Sequence, residues 1–228
     1  MKPFRAIVVA LAAMMLPSLL PATETTRRLD AAADLLTDMM QSSDKGVPQD
    51  LLNRSQCVIL VPGLKKGGFG IGGKYGRGFA MCRQAGGSGW TAPAAMRIEG
   101  GSVGFQIGIS EQDVMLLVMK ETGMKRLLSD KFTLGGEATA AAGPVGRDAT
   151  AQTDAQMRAE MLSYSRARGL FAGISLNGAT MRPDADANKE LYGVGVTNEE
   201  ILMGKTKSPA AAAKVEALLN KNSSRQTK

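Results

Sequence analysis

Between Cys57 and Arg83 the chain reads CVILVPGLKKGGFGIGGKYGRGFAMCR, an apolar run that enters a turn and leaves through a segment studded with glycine. Gly67, Gly68, Gly70, Gly72, Gly73, Gly76 and Gly78 remove side chains over twelve positions. A stretch this poor in side chains bends sharply or lets another backbone or a ligand approach closely. Lys65, Lys66, Lys74 and Arg77 place four cations and no carboxylate in the same stretch, which directs attention to anionic groups rather than to bond-breaking chemistry. Val58–Val61 is apolar throughout, as expected of a strand covered on both faces, and Pro62–Gly63 is read as a turn. Cys57 and Cys82 sit at the two ends. If the arms pair as antiparallel strands and the chain is exported, a Cys57–Cys82 disulfide follows; the alternative is two buried free thiols.

At 228 residues the chain has room for one sizeable core. Residues 1–22 read as a secretory signal: Lys2 and Arg5 start it, Ala6–Leu16 is unbroken apolar sequence, and small and helix-breaking residues follow up to Ala22. The expectation is therefore an exported protein, periplasmic or outer-membrane-associated, with a main domain over 23–204 and a C-terminal helix and polar tail over 205–228. Without its first 22 residues the chain carries 26 Lys and Arg against 21 Asp and Glu, or +5. That surplus suits phosphate head groups; export makes nucleic acid the poorer partner.

Thr25–Gln41 spaces Leu29, Ala32, Ala33, Leu36, Met39 and Met40 as one helical face, with Asp30, Asp34 and Asp38 opposite. A helix that lies on membranes carries Lys and Arg there, so packing against a sheet is expected. Pro48–Arg54 starts a second short helix. The run Gly68–Gly73 matches G-x-G-x-x-G, but the helix that a dinucleotide site requires does not follow. Further strands are expected over Trp90–Ile98, Ser102–Ile109, Val114–Met119 and from Phe132, with turns at Gly86–Gly89 and Gly100–Gly101 and a helix over Glu121–Ser129. The small residues of Gly135–Gly146 pass close to another element. In Tyr164–Leu176 the cations Arg166 and Arg168 fall on one side if the segment is extended. Asp184, Asp186 and Asn188 imitate a calcium loop that lacks its glycine and its final glutamate. Thr197 and Glu200 form a capping box for a helix to Met203; Ser208 and Pro209 open a last helix through Leu219, followed by a disordered tail from Asn220.

The chain has no histidine, which excludes imidazole bases and Ser-His-Asp triads. Carboxylate chemistry from Glu99 with Glu111 or Asp113, or a serine nucleophile at Ser163 or Ser165, is the weaker enzymatic reading, and no cofactor is expected.

The blocks VPGLKKGGFGIGGKYGRG, GWTAPAAM, GSVGFQIG, FTLGGEATAAAGPVGR, SYSRARGLFAGISLNG and ELYG, in that order from about Leu29 to Gly193, resemble the SYLF domain, a lipid-binding family of eukaryotic actin-patch and phosphoinositide-binding proteins with secreted bacterial forms. The resemblance implies an α+β fold around an antiparallel glycine-rich β-sheet or partly closed barrel, with an N-terminal helix and short C-terminal helices. It implies binding of anionic phospholipid, or of a membrane surface, without catalysis. In eukaryotic members a basic amphipathic N-terminal helix contributes to phosphoinositide binding; the helix here carries Arg27 and Arg28 beside three aspartates. Actin binding is not carried over to an exported chain. The expected lipid-contacting residues are Lys65, Lys66, Lys74 and Arg77, with Arg147, Arg166 and Arg168 as second choices. The alternative is an envelope structural protein whose glycine-rich surface binds another protein, and the oligomeric state is open.

Overall fold

The computed structural model describes residues 22–41, 46–69, 71–86, 88–103, 108–146, 154–193 and 195–223. The signal expected over 1–22, apart from Ala22, and Arg147 lie outside them, as does the end of the tail from 224.

Among the described residues nine strands and seven α-helices alternate irregularly, giving the α+β class. In chain order they are α1 (Glu24–Gln41), α2 (Gln49–Arg54), β1 (Cys57–Phe69), β2 (Ile71–Cys82), β3 (Ala94–Val103), β4 (Gly108–Val118), α3 (Glu121–Leu127), β5 (Phe132–Thr133), β6 (Ala140–Ala142), α4 (Asp154–Arg158), β7 (Met161–Ala167), β8 (Leu170–Gly173), β9 (Thr180–Pro183), α5 (Ala185–Tyr192), α6 (Asn198–Leu202) and α7 (Ala213–Asn222), the last entered through a 3-10 turn at Ala210–Ala212. The strands form one sheet in the order β5-β9-β3-β2-β1-β4-β7-β6, with β8 also paired to β7, curled into an open half-barrel. Every pairing is antiparallel except β6 with β7.

The continuous apolar run of β1 is explained by a core on each side. Val58 and Leu60 enter one core with Phe79, Met81, Met115 and Leu117 beneath α1 and α7; Cys57, Ile59 and Val61 enter the other with Ala80, Ile98, Val114 and Leu116. Helix α1 contributes Leu29, Ala32, Ala33, Leu35, Leu36 and Met39, each at most 2% exposed. Full burial of a large aliphatic side chain is worth about 1.5–3 kcal/mol, so this face stays in the core.

Several local expectations change. Pro62 and Gly63 do not turn the chain; β1 runs through them with a bulge between Val61 and Leu64, where Gly63 takes φ +62° and its N–H donates to Asp113 Oδ1 at 3.0 Å. One extra residue is absorbed there without ending the ladder. Gly100–Gly101 lies inside β3, so the strand expected over Ser102–Ile109 is instead the end of β3 and the start of β4. Trp90 makes only a single bridge, to Arg83, and β3 begins after Pro93. The tail is ordered further than expected: α7 continues through Asn222, and Ser223 is buried. Pro209 takes the cap position and Ser208 bonds Glu216 rather than the helix end. The capping box forms as expected, Thr197 and Glu200 each bonding the other's backbone N–H. Asp184 precedes α5 instead of opening a calcium loop.

Candidate functional site

Antiparallel pairing of β1 with β2 opposes Cys57 and Cys82, and the two are joined by a disulfide of 2.07 Å. This bond closes the base of the hairpin. Its outer half, with the neighbouring ends of β3 and β4, forms four cross-strand rows. From the core outward they are Glu111–Lys65–Tyr75–Glu99, Ser110–Lys66–Lys74–Gly100, Ile109–Gly67–Gly73–Gly101 and Gly108–Gly68–Gly72–Ser102.

Successive strand residues point to opposite faces, so the four expected cations do not form one cluster. Lys65 and Arg77 lie on the side of α1, whereas Lys66 and Lys74 lie together on the other side, directly opposite one another. Lys74 is 9% exposed, and its Nζ donates to the carbonyl of Asn177 at 3.1 Å. Lys66 makes no hydrogen bond or ion pair among the described residues, and no carboxylate pairs with Lys74. Burial holds both ammonium groups below the usual lysine range, and the charge of Lys66 lowers Lys74 further. Like charges directly opposed across a ladder destabilise it.

Two of the other cations, Arg77 and Arg166, are already engaged. Arg77 donates through Nε to Asp184 Oδ2 at 2.5 Å and lies 3.4 Å from Glu24; the bond to Asp184 is the main cause of its raised pKa. Arg166 meets Asp38 at 2.7 Å and Asp113 at 3.3 Å. Arg168 is exposed at the β7–β8 turn with φ 50°, beside a 290 Å³ concavity lined by Glu111, Asp113 and Arg166. Two arginines beyond those expected from sequence continue the row of Arg77: Arg97 opposes it and Arg182 opposes Arg97, with Glu99 2.7 Å from Arg182. Only the register of β9, a strand not read from the sequence, brings them together.

The glycines differ in kind. A Cβ on Gly78 would meet Leu60 O at 2.0 Å, and one on Gly100 would meet Gly178 O at 2.7 Å, so the fold demands these two. A Cβ on Gly101 would meet nothing within 4 Å, and one on Gly73 only Gly100 O at 3.9 Å. At Gly73 and Gly101 the outer rows are therefore bare of side chains where the chain itself leaves room for them.

Enzymatic arrangements fare poorly. Ser163 is buried with its hydroxyl 2.7 Å from the carbonyl of Ile174 and 3.1 Å from that of Ala141. Glu99 and Glu111 stand three strands apart, about 14 Å at the usual strand spacing, too far for a glycosidase pair. Among the described residues no three Cys, Asp or Glu side chains are grouped to hold a metal ion.

Fold and surface together describe a mixed α+β domain built round a glycine-rich antiparallel sheet with a basic outer end. A family model described as "Ysc84: Las17-binding protein actin regulator" matches residues 99–222, and the chain belongs to this family, that of the SYLF domain. It is 33% identical over 172 residues to LAS seventeen-binding protein 3 of Saccharomyces cerevisiae, covering 74% of this chain and 37% of that protein. Protein YSC84 of the same yeast is 32% identical over 173 residues, 75% of this chain and 36% of its own length. The SH3 domain-containing YSC84-like protein 1 of Homo sapiens is 30% identical over 178 residues, 78% of this chain and 52% of its own. The chain thus spans about half or less of the relatives it matches. The name of the first of these relatives describes binding, and the family description adds actin regulation.

Proposed function

We propose that this chain is a non-enzymatic binder of anionic phospholipid, acting at the cell envelope after export through residues 1–22. The observation that carries the reading is the Lys66–Lys74 pair: two ammonium groups facing each other, one of them nine-tenths buried, with no carboxylate partner among the described residues. A phosphate bridging them would relieve the repulsion, and Gly72, two residues from Lys74 on the same face, lets a head group approach the backbone. Arg77 and Arg166, neutralised by Asp184 and by Asp38 and Asp113, are assigned structural roles instead.

Flotation with vesicles of phosphatidylglycerol and phosphatidylcholine, against phosphatidylcholine alone, tests the reading. Binding is expected only to the anionic vesicles, weakening with salt, and falling in a Lys66→Gln/Lys74→Gln variant. Equal recovery of native and variant protein would overturn the assignment.

The family description, a Las17-binding actin regulator, favours a second reading in which the sheet surface binds a protein. Crosslinking in intact cells that yields one stoichiometric protein, with no lipid retained on purification, would favour it.

A further inference from the structure

Three of the four longest strands end on a residue of apolar type, the fourth has one next to its terminal Gly108, and charge changes in order behind those ends. Strand β1 finishes at Phe69 and β2 begins at Ile71, opposite it; Ile71 is opposite Val103, the last residue of β3. In β4 the second residue is Ile109, 87% exposed, the most exposed large apolar side chain described. The two outermost complete rows carry no charge. The next inward carries Lys66 and Lys74 and no carboxylate, and only the row behind it introduces Glu111 and Glu99, together with Lys65 and a half-exposed Tyr75.

We infer that the protein docks end-on against an anionic bilayer through the outer ends of β1–β4, with Ile109 entering the head-group region and α1 remaining in the core. This inference rests on the phospholipid reading above and adds its geometry. Apolar, then cationic, then anionic is the sequence of surroundings met on leaving a bilayer of anionic lipids. Lys66 lies three residues behind Phe69, about 10 Å along a strand, which matches the depth of about 5–10 Å to which surface-bound segments enter the interface. Lysine stems can follow apolar surface while the ammonium reaches the phosphates. The competing element, α1, is unsuited: its apolar side is buried, its outward Asp30 and Asp34 are exposed, and no described helix is long and apolar enough to cross a membrane.

The test uses the full disulfide-bonded protein, carrying an environment-sensitive fluorophore on Ile109→Cys or, as a reference on α1, on Asp34→Cys. On vesicles of phosphatidylglycerol and phosphatidylcholine, emission from position 109 should shift to the blue and be quenched by spin-labelled lipid, while position 34 stays aqueous. Ile109→Asp should weaken partitioning about tenfold with an unchanged melting curve, since the residue packs against little of its own chain. Vesicle binding that depends on Lys66 and Lys74 while position 109 remains aqueous, or while position 34 becomes buried, overturns end-on docking and leaves the lipid reading standing. Failure of the native protein to bind anionic vesicles overturns both.

Discussion

A β-carbon on Gly78 would sit 2.0 Å from the carbonyl oxygen of Leu60 and 2.8 Å from the Cα of Val61, because the β1 bulge folds across β2 at that point. Backbone cannot retreat as a flexible side chain can. Gly78→Ala is expected to destabilise by more than about 3 kcal/mol. Gly101→Ala, with open space around it, should be neutral or stabilise by up to about 1 kcal/mol. Urea denaturation of the two variants distinguishes glycine required by packing from glycine that only bares the surface.

Arg77 and Asp184 form the second prediction. Asp184 is 1% exposed and, among the described charged side chains, reaches only Arg77, so Arg77→Ala strands a buried carboxylate. Breaking such a pair costs about 3–5 kcal/mol, and the lower end is expected because Arg77 retains some solvent. Phospholipid binding by the folded fraction should be unaffected, which separates this cation from Lys66 and Lys74.

The Lys66–Lys74 pair predicts an unusual dependence on pH. Both folded pKa values lie below the ordinary 10.5, so between the folded value and 10.5 the unfolded chain binds more protons and stability from these groups rises with pH. Lys66→Gln should therefore be more stable than the native protein by about 0.5 kcal/mol at neutral pH. The advantage should shrink as pH approaches 10.5. Tyr164 and Tyr192, whose pKa values burial raises, destabilise both proteins alike once unfolded tyrosine ionises above about pH 10. The difference between paired denaturation curves isolates the lysines.

Trp90 reports on the C-terminal segment. Its Nε1 donates to Ser223 O at 3.1 Å, and Arg83, stacked 4.0 Å over its ring, donates to the same carbonyl at 2.5 Å. A chain ending at Leu219 leaves both buried donors short of an acceptor. It should lose about 2–3 kcal/mol of stability and shift the emission of its single tryptophan to the red.

The elements with strong periodicity could be read from the sequence: α1 from its apolar stripe, the hairpin arms of β1 and β2 from apolar runs flanking glycine, and α6 from its capping box. The Cys57–Cys82 bond followed from assuming those arms pair. Glycine and proline do not end a strand where the neighbouring ladder is continuous. At Pro62–Gly63 the ladder to β4 holds the chain straight through a bulge, and at Gly100–Gly101 pairing with β2 on one side carries β3 past a natural turn sequence. The start of β5 at Phe132 was legible, whereas short β6 and β9 have no periodicity of their own and exist because longer strands accept them. The candidate site was partly legible. Its residue types were visible, but which cations share a face depends on register, and Asp184, Glu24 and Asp38, which neutralise Arg77 and Arg166, are remote in sequence.

The extra residue in β1 acts as a phase shift. Inward of it Leu60 is matched to Phe79, and outward of it Lys65 is matched to Tyr75, so the two halves of one hairpin obey different counts. In a strand of the same length without the bulge, Lys65 would share the face of Val61 and Lys66 that of Leu60; the bulge reverses both, and Val61 and Leu64, three residues apart, enter the same core. One backbone irregularity thus decides which of two neighbouring lysines stands beside Lys74, so the make-up of the outer surface is written in a residue count rather than in any contact the lysines make.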